Sequence, residues 1–116
     1  MAKVIIAENL KDDILKKFKE QSKKIFKQMY SLQDNPKKGK LLGSVGGIVI
    51  KEIKYEGYRF YFITDGFKLI IMDKSLLTDM LIRFVRMSDK KHQQQTINEI
   101  RKILANFGPN GFTNNR

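Results

Sequence analysis

The sequence predicts an α+β domain in which an N-terminal strand and helices pack on a twisted antiparallel sheet, with a helix near the C-terminus. Residues 10–32 and 97–107 place apolar side chains three or four positions apart, as amphipathic helices do. Between them, runs of β-branched and aromatic residues are separated by glycine-containing turns, which is typical of strands. The 116 residues have the length of one domain, assigned to residues 1–109, with residues 110–116 as a loose tail.

The N-terminal third is predicted to be a strand followed by helix. Lys3–Ala7 is a short β-branched run and predicts a strand at an edge of the sheet. Asn9 is the predicted N-cap of the helical region. That region ends before Pro36, because a residue that precedes proline is disfavoured in the α conformation. The polar gap at Lys19–Lys24 fits either one long helix or a bend between two antiparallel helices, and the periodicity does not decide between them.

Residues 37–47 are predicted to form a basic loop with turn glycines. Three strands follow, and the short turns Glu56-Gly57 and Asp65-Gly66 between them predict antiparallel neighbours. The three strands are Ile48–Tyr55, Tyr58–Thr64 and Phe67–Met72.

The last part of the chain is predicted to contain one more strand and a helix. Asp73–Asp79 is a connection or a helical turn, and the apolar run Met80–Met87 is the strand. Ser88 or Asp89 caps a helix that runs from about residue 90 to residue 107, whose isoleucines, leucine and phenylalanine form one apolar stripe.

The composition favours a polyanionic partner. There are 23 Lys and Arg residues against 12 Asp and Glu, a net charge of +11 that attracts nucleic acid or an acidic protein. With no cysteine and a single histidine, His92, the chain predicts no metal site. The sequence lacks an apolar run of the roughly 18 residues that a membrane span needs, so a cytoplasmic protein without membrane contact is expected.

A short motif lies on the two strands around Glu56-Gly57. It consists of Glu52, Ile53, Lys54, Tyr58, Arg59 and Tyr61. This arrangement resembles the E-L-R-x-x-x-Y-R-x-x-Y pattern of the RelE/ParE toxin superfamily. The segment Asn35–Gly43 stands where that family has a P…G-K-L-x-G stretch, and Phe84–Lys91 loosely matches its last strand and basic segment. The resemblance covers about residues 3 to 107 and implies a helical hairpin after the first strand.

One segment departs from the family pattern. Family members pass from the Tyr-Arg strand through a single turn into their final strand, whereas this chain has Phe67–Asp79 in between. The segment is either an inserted hairpin arm or a duplicated last strand.

The resemblance implies the toxin of a type II toxin–antitoxin system, a metal-independent endoribonuclease that cuts mRNA in the ribosomal A site without a cofactor. The implied partners are an acidic antitoxin, in a possible hetero-oligomer, and mRNA with the ribosome. Glu52 stands where the RNases closest to RelE have lysine, which favours two alternatives: a non-enzymatic ParE-like gyrase inhibitor, or a degenerate nucleic-acid or protein-binding module.

Metal-free RNA cleavage needs a base for the ribose 2′-hydroxyl, cations for the phosphate and an acid for the leaving 5′-oxygen. Arg59 is the main catalytic candidate, because a guanidinium suits two phosphate oxygens. Its alternative role is a structural ion pair with Glu52. Glu52 and His92 are the candidates for proton transfer, although a lone histidine is often just an exposed helix residue. The candidate RNA contacts are Lys38, Lys40, Lys54, Tyr55, Arg86, Lys90 and Lys91.

Overall fold

The computed structural model describes residues 2–70 and 80–112. In this part of the chain five strands form one sheet that is flanked by helices, so the α+β class is confirmed. The strands are β1 (Lys3–Ile6), β2 (Lys40–Val45), β3 (Ile48–Tyr55), β4 (Tyr58–Asp65) and β5 (Leu81–Asp89). The α-helices are α1 (Glu8–Phe18), α2 (Ser22–Tyr30), α3 (Gly66–Ile70) and α4 (Gln93–Phe107), and 3₁₀ turns span Lys19–Gln21, Ser31–Gln33 and Pro109–Phe112.

The sheet has the strand order β1-β5-β4-β3-β2. Neighbouring strands are antiparallel except for β1 and β5, which are parallel, so the sheet is mixed rather than antiparallel throughout. The expected edge position of the first strand is confirmed. Parallel pairing requires a long crossover, and the helices after β1 supply the first part of it.

Helices cover both faces of the sheet. Successive strand residues point to opposite faces, so β4 contributes Phe60 and Phe62 to one core and Tyr61 and Ile63 to the other. The first core lies against α1 and α2, and the second lies against α4. Because β4 is buried on both sides, its burial of apolar surface contributes heavily to stability.

The helical region consists of two helices. Lys19 has a positive φ of 50°, which ends α1, and the 3₁₀ turn that it begins leads into α2. The buried Ser22 hydroxyl donates to the backbone oxygen of Ile14 at 3.1 Å and ties the two helices together. Of the two possibilities left open by the periodicity, the bend is correct. Asn9 is not the N-cap as predicted, because α1 already begins at Glu8.

Two-residue turns join β2 to β3 and β3 to β4. Glu56 and Gly57 both have positive φ, and Tyr55 pairs with Tyr58 across them, as in a type I′ hairpin. The predicted turn is therefore confirmed. Gly46-Gly47 forms the other turn, also with positive φ at both positions. The strand before it, β2, differs from the predicted loop; its glycine and polar residues weaken the strand pattern in the sequence.

The predicted strand Phe67–Met72 is wrong over the residues that the structure describes. Residues 66–70 form the short helix α3, because the Asp65 carboxylate accepts hydrogen bonds from the backbone nitrogens of Phe67 (2.9 Å) and Lys68 (3.2 Å). Asp65 is thus a helix cap and not the first residue of a hairpin turn. The remainder of that predicted strand and the predicted connection fall at residues 71–79, outside the described residues. In the sheet, β5 is the direct neighbour of β4.

The C-terminal helix is present, and it begins at Gln93, three residues later than predicted. Asp89 rather than Ser88 holds the turn before it, by accepting a hydrogen bond from the backbone nitrogen of His92 at 2.9 Å. The expectation of a loose tail from residue 110 is wrong for residues 110–112. Phe112 is only 1% exposed, because it packs into the core beneath α4.

A β-bulge interrupts the pairing of β4 with β5. Tyr61 pairs with Arg86 and Phe62 pairs with Phe84, which leaves Val85 as an extra residue. The alternation of β5 therefore shifts by one, and Ser88 projects to the α4 side, where its hydroxyl meets Tyr61. Within residues 2–70 and 80–112, no helix has the length and apolar character to cross a lipid bilayer.

Candidate phosphate site on the sheet face beneath α4

Five polar side chains lie together on the α4 side of the sheet, near the turn between β3 and β4. Paired residues of antiparallel strands project to the same face, and Arg59 is paired with Lys54 on one side and with Ser88 on the other. Glu52 and Tyr61 form the next residue pair whose side chains project to that face. These residues, Glu52, Lys54, Arg59, Tyr61 and Ser88, are called the polar patch below.

Arg59 is buried, and none of the described carboxylates is paired with it. Its side chain is 8% exposed, and its Nη1 donates to the backbone oxygen of Gly57 at 3.1 Å. Its Nε has no hydrogen-bond partner, and in the described part of the chain no carboxylate forms an ion pair with it within 4.0 Å. The alternative reading, a structural ion pair with Glu52, is therefore not observed. A buried donor without a partner costs about 1–3 kcal/mol, so its presence needs an explanation.

Glu52 is the second buried ion of the polar patch. It is 1% exposed, and its Oε1 accepts a hydrogen bond from the Gln93 side chain at 3.2 Å. Its Oε2 has no partner among the described residues. Gln93 is the first residue of α4, so this contact docks the start of the helix on β3. The Oε2 atom is therefore available to accept a further hydrogen bond.

Tyr61 and Ser88 form a buried hydrogen bond within the polar patch. The Ser88 hydroxyl donates to the backbone oxygen of Asp89 (2.9 Å), which leaves its oxygen to accept from the Tyr61 hydroxyl (2.7 Å). Burial raises the pKa of Tyr61; the Ser88 hydrogen bond opposes this rise and the Glu52 charge adds to it. Tyr61 is consequently a neutral donor at physiological pH. The sequence analysis had considered Ser88 only as a helix cap.

A basic groove of about 280 Å³ adjoins the polar patch. Lys38, Lys40 and Lys54 line it, together with Gln28 and Glu52. All three lysines are exposed and had been predicted to contact phosphate. The three cations surround one opening, where they can attract a polyanion.

Lys51 supports the loop that contains Lys38 and leads into β2 at Lys40. It is 4% exposed on the opposite face of β3, its Nζ donates to the backbone oxygen of Lys37 at 2.8 Å, and it lies over the Phe62 ring at 6.0 Å. Burial lowers the pKa of Lys51 below the usual 10.5. This role is not visible in the sequence, where Lys51 resembles any surface lysine.

The lowered pKa of Lys51 predicts a pH-dependent stability. Between its folded-state pKa and 10.5 the unfolded chain binds more protons, so the free energy of unfolding contributed by Lys51 rises with pH. The free energy of unfolding of the parent should therefore increase relative to that of Lys51→Met as the pH rises toward 10.5. Urea unfolding of both proteins measures this difference. Lys38→Met serves as the control for the general loss of one positive charge. A parent-minus-variant difference that is the same at every pH for Lys51→Met would contradict this prediction.

His92 and Arg86 both have acidic partners. Asp89 Oδ1 lies 2.8 Å from the His92 Nδ1 and also accepts from the His92 backbone nitrogen, and these two hydrogen bonds lower the pKa of Asp89. The His92 ring is half exposed at the N-terminal end of α4. Arg86 forms an ion pair with Glu99 at 2.9 Å and lies 5.3 Å from the Phe112 ring centre. Arg86 is thus engaged in docking α4, which differs from the predicted phosphate contact.

The remaining candidates are Lys90, Lys91 and Tyr55. Lys90 and Lys91 are exposed in the turn before α4. Tyr55 projects to the face covered by α1 and α2, where its ring packs edge-on against Phe18 with centroids 6.3 Å apart. Tyr55 and Arg59 therefore project to opposite faces of the sheet. Among residues 2–70 and 80–112, no cluster of three or more acidic or histidine side chains is arranged to bind a metal ion.

The chain has no match among protein-family models, curated proteins or solved structures.

Proposed function

We propose that the chain is a RelE/ParE-like toxin of a type II toxin–antitoxin system and a metal-independent endoribonuclease that cuts mRNA on the ribosome. The observation that carries the proposal is Arg59, a buried arginine that has no carboxylate partner among the described residues, beside Lys54 in the same row of the sheet. A guanidinium with unused donors next to a second cation is suited to a phosphate group.

The architecture is consistent with this proposal. A strand, two helices and a run of antiparallel strands follow one another in the order expected of the family. The motif residues lie on the adjacent strands β3 and β4, and their register pairs Lys54 with Arg59 and Glu52 with Tyr61. The excess of cations, +11 overall, favours association with RNA.

The polar patch and its neighbours contain groups for each step of the reaction. Glu52 takes the proton from the ribose 2′-hydroxyl, whose oxygen then attacks phosphorus. The bond from phosphorus to the 5′-oxygen breaks, which leaves a 2′,3′-cyclic phosphate on one fragment. Arg59 and Lys54 neutralise the charge that grows on the phosphate oxygens. His92, oriented by Asp89, returns a proton to the leaving 5′-oxygen.

An antitoxin partner and a cytoplasmic location belong to the same proposal. An acidic antitoxin neutralises the toxin by covering its basic surface, and the two form a hetero-oligomer in the cytoplasm. A non-enzymatic, ParE-like gyrase inhibitor is the second candidate. Glu52 favours that candidate, because it occupies the position at which the RNases closest to RelE carry lysine.

Induced expression in a bacterial host tests both candidates. An endoribonuclease should arrest growth, stop translation and produce new 5′ ends in messages, which primer extension detects. A purified preparation should cut mRNA in a reconstituted translation reaction, and Glu52→Gln should slow this cleavage while RNA binding persists. Growth arrest with intact messages and inhibited DNA supercoiling would favour the gyrase inhibitor. Normal growth with neither activity would refute the toxin assignment.

A further inference from the structure

A second arginine lies on the α4 side of the sheet at its β2 edge. The Arg101 side chain of α4 rests directly on Gly43 of β2, so closely that a Cβ atom at Gly43 would overlap its Nη2. Just before Gly43 the pairing of β2 with β3 shifts: Leu41 pairs with Lys51, and Gly43 pairs with Ile50. The guanidinium therefore sits on the bare backbone of the edge strand, in a position that only glycine leaves open.

Arg101 has no acidic partner in the part of the chain that the structure describes. Over residues 2–70 and 80–112 no carboxylate forms an ion pair with it within 4.0 Å, and its side chain is half-buried. By contrast, Arg86 on the same side of the sheet is paired with Glu99. A plain structural role is that the charge keeps the edge strand from pairing with other chains. A positioned guanidinium with unused donors is also a phosphate ligand.

Arg101 extends the row of cations that lines the basic groove. Lys40 is paired with Glu52, and Gly43 is paired with Ile50, two residues along β3 on the same face. Two residues of a strand span about 7 Å, so the seat of Arg101 lies about that far along the edge from Lys40. Lys54, Lys40 and Arg101 therefore follow one another along the same side of the sheet. A line of cations at this spacing suits the backbone of an extended nucleic-acid strand.

We propose that Arg101, seated on Gly43, binds a second backbone phosphate of the RNA strand whose scissile phosphate lies at Arg59. This inference rests on the proposed function and extends it: the substrate is an extended single strand that runs over the basic groove and along β2. A ligand of two nucleotides has one phosphate linkage and does not reach Arg101. Longer ligands gain affinity from the contact with Arg101.

Oligonucleotides of two lengths test the inference. The ligands are 2′-O-methyl RNAs of two and of eight nucleotides, which cannot be cleaved because the 2′-oxygen is blocked, and binding is measured by fluorescence anisotropy. Arg101→Gln should weaken binding of the longer RNA about tenfold and lower its salt dependence by about one unit of slope, while binding of the shorter RNA stays the same. Lys102→Gln, which removes the same charge from the next, exposed residue, should change both affinities less than about twofold.

A second variant separates binding from folding. Gly43→Ala places a methyl group where the guanidinium lies, so it should weaken the longer RNA as Arg101→Gln does, and combining the two changes should add little. Circular dichroism and urea unfolding of each variant exclude loss of the fold as the cause. Equal binding of the longer RNA by Arg101→Gln and the parent, or no gain of affinity with length in the parent, overturns the inference.

The variant Arg59→Gln separates two outcomes. One is failure of the second phosphate site at Arg101, and the other is failure of the proposed function. If Arg59→Gln weakens both RNAs and abolishes cleavage while Arg101→Gln has no effect, only the second phosphate site is wrong. If Arg101→Gln weakens the longer RNA but Arg59→Gln neither weakens binding nor slows cleavage, Arg101 is confirmed as a phosphate contact and the proposed catalytic site is wrong.

Discussion

Replacing Arg59 by glutamine should lower the rate of RNA cleavage by about 100-fold or more. A preorganised donor aimed at a charge that develops in the transition state contributes about this much in well-characterised enzymes. Arg59 is held in place by its buried position and by the bond from Nη1 to Gly57, so little reorganisation is needed when a phosphate arrives. Single-turnover cleavage of mRNA in a reconstituted translation reaction measures the loss, and expression of the variant should no longer arrest growth.

Two arginine variants sharpen this experiment. Arg59→Lys keeps the charge but not the two-pronged donor, so it should retain about a tenth of the activity or less. Arg83→Gln removes an arginine from β5, where the guanidinium donates to the backbone oxygen of Pro109 at 2.8 Å, away from the polar patch, and should leave cleavage close to that of the parent. If Arg59→Gln is as toxic as the parent, the ribonuclease assignment is wrong.

Replacing Phe112 by alanine should destabilise the protein by about 3–5 kcal/mol. Truncating a fully buried phenylalanine removes apolar contacts and leaves a cavity, and costs of this size are typical. Phe112 is 1% exposed, packs into the core beneath α4, and lies under the guanidinium of Arg86. Urea unfolding monitored by circular dichroism gives the change in the free energy of unfolding.

The matched control is Phe107, five positions earlier at the end of α4. Phe107 is 71% exposed, so Phe107→Ala should change the free energy of unfolding by no more than about 0.5 kcal/mol. Equal effects of the two substitutions would mean that Phe112 is not part of the core, as in the loose tail predicted from the sequence.

The parts of the fold predicted correctly depend on interactions between near neighbours. The Glu56-Gly57 turn needs positive φ at both positions, which the glycine makes easy, and it aligns Tyr55 with Tyr58. This register is enough to pair Lys54 with Arg59, so the centre of the candidate site could be read from the sequence. The amphipathic pattern of α4 likewise indicates which of its residues are buried.

Other parts were mispredicted because the same residues suit two local structures. Asp65-Gly66 fits a hairpin turn as well as a helix cap, and the carboxylate bonds to Phe67 and Lys68 decide for the cap. The strand β2 has weak local preferences, and its pairing with β3 stabilises it. Arg86 was predicted to contact phosphate, but the packing of α4 places Glu99 in an ion pair with it.

Local preferences along the chain are thus sufficient to predict the strand and helix segments that have strong periodicity, the tight hairpin between β3 and β4, and the pairing of two cations across it. Contacts between distant segments determine the rest. The bulge at Val85 turns Ser88 toward Tyr61, the docking of α4 brings Gln93 to Glu52, and Gly43 makes room for Arg101. Each of these contacts joins residues far apart in sequence. The contacts therefore form, and stabilise the fold, only when the sheet and its covering helices pack together.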